Sequence, residues 1–197
     1  MVFDILLVIG AYLLGSFSSA ILYCRLTGLP DPRTQGSGNP GATNVLRLGG
    51  KKAAVITLLG DLLKGLLPTG LASLLHRPEL AAAFVGLAAF LGHLYPLYFG
   101  FKGGKGVATA LGVLLGINPI TGALVAGTWL LMAKITRISS AAALSAFFLA
   151  PLYFYWLTGE LAASGVIAAM SCLIFWRHRK NIRNLLAGTE PRIGRTE

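Results

Sequence analysis

The sequence has few charged residues and very few cysteines. Of its 197 residues only 12% are charged, whereas 55% are hydrophobic, and the mean hydropathy is +0.71. This composition excludes an ordinary soluble domain. The two cysteines, Cys24 and Cys172, lie far apart in apolar segments, so they provide neither a disulfide framework nor the spacing of a metal site. We therefore expect a polytopic, all-α membrane protein with a single domain, residues 1–197.

Several well-known catalytic motifs are also absent. The GKG at Gly104–Gly106 is not followed by Ser or Thr, so the P-loop pattern fails, and there is no GxGxxG. No histidine is followed by an aspartate five positions later, because Ala81, Tyr98 and Arg183 stand there. The HxxxxD arrangement of soluble-domain glycerolipid acyltransferases is therefore missing, as are a GxSxG elbow and a Cys/His metal cluster. Nothing in the sequence requires a metal or an organic cofactor.

Seven apolar segments alternate with polar ones along the chain. The fourth and fifth are short, so by length alone they form either one kinked span or two short antiparallel ones. The first follows no positively charged segment, and we interpret it as a retained span rather than a signal peptide. The predicted spans are residues 3–25, 53–75, 80–99, 107–117, 120–133, 138–157 and 161–176.

Positive charge is in excess, and its distribution determines the predicted topology. The formal net charge is +10, but the basic residues are scattered over the polar connections, which is typical of membrane orientation rather than of nucleic-acid binding. With the N-terminus outside and seven crossings, 15 of the 17 Lys and Arg residues fall on one side. If residues 107–133 formed a single span instead, Lys134, Arg137 and the basic C-terminal tail would lie on the opposite side from the other basic residues. The positive-inside rule therefore favours seven transmembrane helices with a cytoplasmic C-terminus.

Three polar segments then share the cytoplasmic face, namely residues 27–52, 98–109 and 177–197. Their meeting at one membrane surface predicts an active site at that interface. The middle segment contains FKGGKGVAT at Phe101–Thr109, at the start of an apolar run. Glycines allow backbone amides to converge on an anion and lysine adds positive charge, so the stretch indicates a phosphate-binding loop at a helix N-terminus. The alternative is a simple glycine-rich turn.

The other two segments also contain side chains suited to phosphate. In the first, hydroxyls, amides and Arg47 can bind phosphate or hydroxyl oxygens, unless Arg47 only sets the topology. In the last, His178 and Asn181 share a face if the final span continues as a helix, although a basic cluster that attracts anionic lipid is the alternative. The candidates in the first segment are Ser37, Asn39, Thr43, Asn44 and Arg47, among Gly36, Gly38 and Gly41.

Ionisable residues inside the predicted spans are few. Asp61 and Lys64 are three positions apart and so share one face of the second span, which predicts a structural ion pair. The alternative is that Lys64 attracts an anionic substrate. For His93, near the end of the third span, we expect a hydrogen bond to neighbouring backbone.

Taken together, GSGNPGATNVLR, GHLYPLYFGFKGGKGVAT and RHRKNIRNLLAGTE resemble the three motifs of the bacterial acyl-phosphate:glycerol-3-phosphate acyltransferases, the PlsY family. DLLKG at residues 61–65 also matches, and the resemblance covers essentially the whole chain in order. One position departs from the family pattern: Asn184 stands where an arginine is expected.

The resemblance implies a multi-pass enzyme of the bacterial inner membrane that acts in phospholipid biosynthesis. It would transfer a fatty acyl group from acyl phosphate to the 1-hydroxyl of glycerol 3-phosphate, giving lysophosphatidate and inorganic phosphate, without a cofactor or an obligate protein partner. Carried over by motif, the catalytic residues are Ser37, Arg47, Lys105, His178 and Asn181. The substrate-binding residues are Gly38, Asn39, Thr43, Asn44, Gly103, Gly104, Gly106, Thr109 and Glu190.

The chemistry of these substrates agrees with such a site. Acyl phosphate is already activated, so the tasks are to hold two anions together and to align the hydroxyl with the carbonyl. We expect the FKGGKGVAT stretch, Phe101–Thr109, to hold the leaving phosphate. His178 either deprotonates the hydroxyl or orients the substrate while a substrate phosphate accepts the proton. The competing hypotheses are a transporter of phosphorylated anions and a noncatalytic lipid-binding scaffold.

Overall fold

The computed structural model describes residues 2–193, and every regular element in that range is helical. The all-α prediction is therefore confirmed. A short 3₁₀ turn, Leu97–Phe99, connects the fourth and fifth helices. The helices are α1 Val2–Gly15, α2 Ser19–Leu26, α3 Ala42–Leu74, α4 Glu79–Leu94, α5 Val107–Ile117, α6 Pro119–Thr136, α7 Ser139–Thr158, α8 Leu161–Arg177 and α9 Arg179–Leu186.

Several of these helices are suited to crossing a membrane. By length and composition α3, α6 and α7 qualify, as does α4 together with the 3₁₀ turn that follows it (Glu79–Phe99). The bent pairs α1–α2 and α8–α9 raise the number to six if each pair is one span. The apolar α5 has only 11 residues. The two short segments are thus separate helices rather than one kinked helix. The number of crossings and the side of the N-terminus stay predictions.

The predicted span 3–25 is broken, and a second bend follows the end of the last predicted span. α1 and α2 meet at 41°, because α1 ends at Gly15 and Ser18 caps a new helix by accepting a 3.4 Å hydrogen bond from the amide of Ile21. α8 and α9 meet at 61°, with His178 at the break. The chain after α8 is helical but strongly bent, so the condition of a continuous helical extension is not met, and His178 and Asn181 do not share a face of one continuous helix.

Two helix boundaries also differ from the prediction. α3 begins at Ala42, well before residue 53, and bends at Gly50, where φ is 73° and ψ is −171°. The second half of the first polar segment is therefore helical. α4 ends at Leu94 rather than continuing to residue 99, because a proline at position 96 disfavours helical backbone in the preceding residue.

The main core lies between α4, α5, α7 and α8, where Phe90, Phe147 and Phe154 are buried. α3 packs very closely on α5, because a Cβ at Gly65 or Gly112 would clash with the backbone of the facing helix. Small residues commonly allow such close packing between membrane helices. This packing holds the start of α5 against α3. It thereby also fixes the end of the loop that precedes α5, residues 100–106.

Candidate active site

The glycine–lysine loop, residues 100–106, packs against the end of α4. The amide of Gly103 donates to the carbonyl of Leu94 and that of Gly104 to the carbonyl of His93, both at 3.2 Å. A Cβ at Gly103 would clash with the His93 carbonyl, and one at Gly104 would clash with the His93 ring. These two amides are therefore not free for an anion, contrary to the sequence expectation. Glycine is needed at both positions because the loop backbone lies too close to His93 for a side chain.

The first backbone amides of α5, directly after the loop, have no acceptor within the helix. Gly106 caps this helix in a left-handed conformation, with φ 86°, and a Cβ there would meet the Phe90 ring. The first hydrogen bond of the helix runs from Ala110 to Gly106, so the amides of residues 107–109 lack an intrahelical partner. Thr109 itself is fully buried, and its hydroxyl has no hydrogen-bond partner in the described part of the chain.

Arg177, the last residue of α8, holds the loop from another side. Its Nη2 donates to the carbonyl of Gly103 at 2.7 Å, and its Nε donates to the carbonyl of Gly104 at 3.1 Å. The loop is thus held through its amides by α4 and through its carbonyls by α8. This double attachment fixes Gly103 and Gly104 and so supports Lys105, the next residue of the loop.

Lys105 connects the second polar segment to the third. Its Nζ donates to Asn181 Oδ1 at 2.6 Å, and Asn181 Nδ2 donates to Glu190 Oε1 at 2.6 Å. Ser140, at the start of α7, donates to the same glutamate oxygen at 2.7 Å. Burial lowers the pKa of Lys105 to about 8, although the Glu190 carboxylate acts in the opposite direction. Within this chain of contacts, Glu190 positions Asn181.

His178 lies at the break between α8 and α9 and is only 3% exposed. Its Nδ1 is 2.8 Å from the carbonyl oxygen of Ile174. A carbonyl can only accept, so Nδ1 carries the proton and Nε2 has the free lone pair. Burial and, to a smaller extent, the Lys105 cation together lower the pKa of His178 to about 4. The ring is therefore neutral near pH 7 and can accept a hydrogen bond at Nε2.

Asn44 shapes the loop of the first polar segment. Its Nδ2 donates to the carbonyls of Pro32 and Gln35 at 2.9 and 3.0 Å, and its Oδ1 accepts from the amide of Ser37 at 3.0 Å. The side chain is only 2% exposed. Asn44, predicted to bind substrate, therefore holds the loop that presents Ser37.

The remaining candidates of this segment lie at its surface. Ser37 and Gly38 are exposed in the loop, and Asn39 is partly buried. Thr43, on the first turn of α3, is exposed, and its hydroxyl lies 3.3 Å from that of Ser139. Arg47 is also exposed on α3, and it is near enough to Lys105 to lower the pKa of that residue.

Two open cavities border these segments. The polar one, of about 290 Å³, is lined by Arg33, Gly38, Pro40, Phe101, Lys102, Gly103 and Arg177. The apolar one, of about 180 Å³, is lined by Ala42, Thr43, Leu46, Ala54, Val55, Leu58, Trp129, Ser139 and Ile193. The first contains positive charge between the first two polar segments. The second runs beside α3 and α6.

Sequence reasoning missed three residues of this arrangement. Arg177 follows a predicted span, where a basic residue indicates topology only, yet in the structure it binds the glycine–lysine loop. Ser140 carried no motif signal. Arg33 forms an ion pair with Asp31 at 2.7 Å and donates to the carbonyl of Phe99 at 3.0 Å, which joins the first two polar segments. Among residues 2–193, no three His, Cys, Asp or Glu side chains are grouped as metal ligands.

Comparison with known proteins identifies the family. The family model for glycerol-3-phosphate acyltransferase matches residues 5–188. The chain belongs to this family. A glycerol-3-phosphate acyltransferase of Thioalkalivibrio sulfidiphilus is 64% identical over 190 residues, which cover 95% of this chain and 93% of the relative. Another, from Hydrogenovibrio crunogenus, is 60% identical over 185 residues, which cover 93% of this chain and 88% of the relative.

Solved structures of the family have the same fold. The glycerol 3-phosphate form of PlsY (YgiH), an integral membrane glycerol 3-phosphate acyltransferase, matches with a TM-score of 0.93 and 41% identity, covering 97% of this chain and 96% of that one. Its lysophosphatidic acid form matches with a TM-score of 0.90 and 40% identity, covering 97% and 95%. The prediction of an all-α integral membrane acyltransferase of the PlsY family is confirmed.

Proposed function

We propose that this acyltransferase moves a fatty acyl group from acyl phosphate to the 1-hydroxyl of sn-glycerol 3-phosphate, giving lysophosphatidate and inorganic phosphate. The observation that carries the proposal is the 2.6 Å contact between Lys105 and Asn181, which unites the second and third motifs beside the neutral His178. Family membership supports glycerol 3-phosphate as acceptor. The related PlsY structures, described as glycerol 3-phosphate and lysophosphatidic acid forms, support the same acceptor and product.

In the proposed step the 1-hydroxyl oxygen attacks the acyl carbonyl carbon, and the bond from that carbon to the phosphate oxygen breaks. The phosphate leaves with the electron pair. Two phosphate groups must approach each other, so cations are needed near both. Lys105 and Arg47 provide positive charge, and the first-turn amides of α5 provide donors for the leaving phosphate. The exposed Ser37 hydroxyl is a further donor.

His178 orients the attacking hydroxyl in this proposal. Its Nε2 accepts the hydroxyl hydrogen bond, while Nδ1 is fixed by Ile174. A histidine with a pKa of about 4 is a weak base, whereas the second ionisation of a phosphate monoester has a pKa near 6. The proton therefore passes to a phosphate oxygen. Of the two hypotheses for proton transfer, the burial of His178 favours the substrate phosphate as acceptor.

The acyl chain needs an apolar site that is continuous with the membrane. The apolar cavity supports this use, because it is open and its wall includes Leu46, Leu58 and Trp129, with Thr43 among its polar residues. We assign the first carbons of the acyl chain to this cavity. Larger residues there are expected to shorten the preferred chain.

The proposal also places the site on the cytoplasmic face of the bacterial inner membrane, with seven crossings and the N-terminus outside. A cysteine replacing the exposed Lys102 should react with a membrane-impermeant thiol reagent only in inverted vesicles, whereas Glu79→Cys should react only in right-side-out cells. Both background cysteines are replaced by alanine in this test. Labelling of both positions from the same side would overturn the topology.

The activity test uses purified protein with radiolabelled glycerol 3-phosphate and matched acyl donors. We expect labelled lysophosphatidate with acyl phosphate and at least about 100-fold less with the acyl thioester of the same chain, because the thioester has no phosphate for the cations to hold. Lys105→Ala is the inactive control. Uptake into sealed vesicles without product would instead support a transporter, and binding of lipid without turnover would support a scaffold.

A further inference from the structure

A group of ionisable side chains is buried in the helix bundle and has no part in the proposed reaction. Lys64 Nζ lies 2.9 Å from Asp61 Oδ1, and the two side chains are only 5% and 4% exposed. The predicted ion pair is thus confirmed. His93 Nδ1 lies 3.6 Å from the same aspartate oxygen, an interaction that the sequence did not indicate. We refer to these three residues as the buried cluster.

Stability alone does not explain the buried cluster. Charged side chains inside membrane helices are costly, and replacing a buried ion pair by apolar residues of similar volume is often neutral or stabilising. Lys64 is also too deeply buried to attract substrate from solution. The contacts of the cluster at its two ends suggest a different role.

One end of the buried cluster holds the break between α1 and α2. Lys64 Nζ donates to the carbonyl oxygen of Phe17 at 2.8 Å, and Phe17 lies between the end of α1 and the Ser18 cap of α2. The lysine thus satisfies a carbonyl group that the helix break leaves without a helical partner. α3 is fixed to α1 and α2 by this contact.

The other end contacts the glycine–lysine loop. The carbonyl of His93 accepts the amide of Gly104 at 3.2 Å, and the His93 ring fills the space where a Cβ of Gly104 would lie. Asp61 faces Nδ1 of the same ring. The aspartate is therefore in a position to hold the ring against the loop, one residue before Lys105.

We propose that Asp61, Lys64 and His93 are positioning residues for acyl transfer, which set the place of the glycine–lysine loop and thereby of Lys105. This inference rests on the proposed function for its kinetic consequence only. Its structural consequence, a more loosely held loop when the cluster is removed, is independent of which reaction the enzyme performs.

The test compares wild type with the charge-neutral double variant Asp61→Asn/Lys64→Met and with His93→Ala. Ser73→Ala is the matched control, because it removes a 2.9 Å hydrogen bond between α3 and α5, to the carbonyl of Gly116, at a distance along α3 from the loop. The double variant leaves no unpaired charge, so we expect it to fold. Thermal melting in detergent verifies this for each variant.

Two measurements are made on each variant. Hydrogen exchange of peptides covering residues 101–106 should speed up roughly tenfold in both cluster variants, because the His93 ring that packs on Gly104 is removed or loses the Asp61 charge that faces it, and not in Ser73→Ala. kcat should fall about 10- to 100-fold, with a smaller change in KM for glycerol 3-phosphate, because misplaced groups slow the chemical step.

Unchanged exchange in residues 101–106, or a kcat equal to that of Ser73→Ala, would overturn the positioning role. If wild-type protein forms no lysophosphatidate, the proposed function fails while the exchange measurement still decides this inference. His93→Ala provides an independent result if the double variant does not fold.

Discussion

The ammonium nitrogen of Lys105 lies 2.6 Å from the side-chain oxygen of Asn181, 76 positions later in the chain. Asn181 is held in turn by Glu190, which is anchored on Ser140 at the start of α7. The neutral side-chain amide of Asn181 thus fixes the orientation of the flexible Lys105 side chain. Because this partner carries no charge, it does not neutralise the positive charge that Lys105 would offer to a phosphate in the proposed reaction.

Asn181→Asp tests the importance of this neutral partner. The new carboxylate would pair with Lys105 and repel phosphate, so we expect KM for both phosphate substrates to rise at least about tenfold. The basic limb of the pH profile should also move to higher pH, because a carboxylate favours the charged lysine. Steady-state kinetics with each substrate varied in turn measure both effects.

Asn184→Asp is the matched control for that variant, because it adds the same charge on the same short helix. It should leave KM within about threefold of wild type, because Lys105 Nζ contacts Asn181 rather than residue 184. Equal losses in the two variants would show that the net charge of α9 matters rather than the contact with Lys105.

The pH dependence of kcat/KM should show a basic limb near pH 8. Lys105 has a pKa of about 8, so its positive charge is present below this pH and is lost as the pH rises through it. Lys105→Arg should remove the limb, because arginine stays protonated throughout the accessible range. Its activity at pH 7 should be lower, since guanidinium and ammonium differ in geometry. A basic limb that persists unchanged in Lys105→Arg would assign it to another group.

His178→Gln should lower kcat/KM about 100-fold, because the hydroxyl loses its orienting acceptor. With a pKa of about 4, His178 is neutral at every pH above that value and becomes charged only as the pH falls through it. The profile between pH 5 and 7 should therefore have the same shape in wild type and variant. An acidic limb near pH 6.5 that disappears in His178→Gln would instead identify His178 as the general base. Near-normal turnover would remove it from the mechanism.

Gly103→Ala should destabilise the protein by roughly 1–3 kcal/mol and displace the loop, because its Cβ has no space beside the His93 carbonyl. Gly127→Ala is the control, since a Cβ there meets nothing within 4 Å on the exposed side of α6. That change should be neutral or slightly stabilising, as alanine is the better helix former. Thermal melting and activity are measured for both. A wild-type-like Gly103→Ala would contradict the close packing of the loop.

Composition and charge were sufficient to predict an all-helical membrane protein and the three polar segments of the site. The apolar segments are long, and a long apolar segment predicts a membrane helix without any knowledge of tertiary contacts. Breaks were harder to predict: the Ser18 cap that starts α2 and the bend at His178 are local features that hydropathy does not detect. The start of α3 was also missed, because the polar residues 42–52 fold as a helix that packs against other elements.

Within the site, residue types indicated phosphate chemistry, but they did not indicate how each group is used. The backbone amides of Gly103 and Gly104 donate hydrogen bonds to carbonyls at the end of α4. The side-chain amide of Asn44 donates to carbonyls of the loop that precedes it. These hydrogen bonds depend on which carbonyl groups lie nearby in the folded chain, which the residue types alone do not indicate. The role of Arg177 has the same origin, since the sequence shows only a basic residue at the end of a span.

A single-turnover reaction of purified protein with acyl phosphate and glycerol 3-phosphate tests the central claim most directly. Inorganic phosphate and lysophosphatidate are followed in parallel, with spontaneous hydrolysis subtracted from a sample without protein. Direct transfer at the Lys105 site predicts that the two products appear together in equal amounts, and that no phosphate is released before glycerol 3-phosphate is added. A burst of phosphate without the acceptor, or phosphate release without lysophosphatidate, would contradict the account.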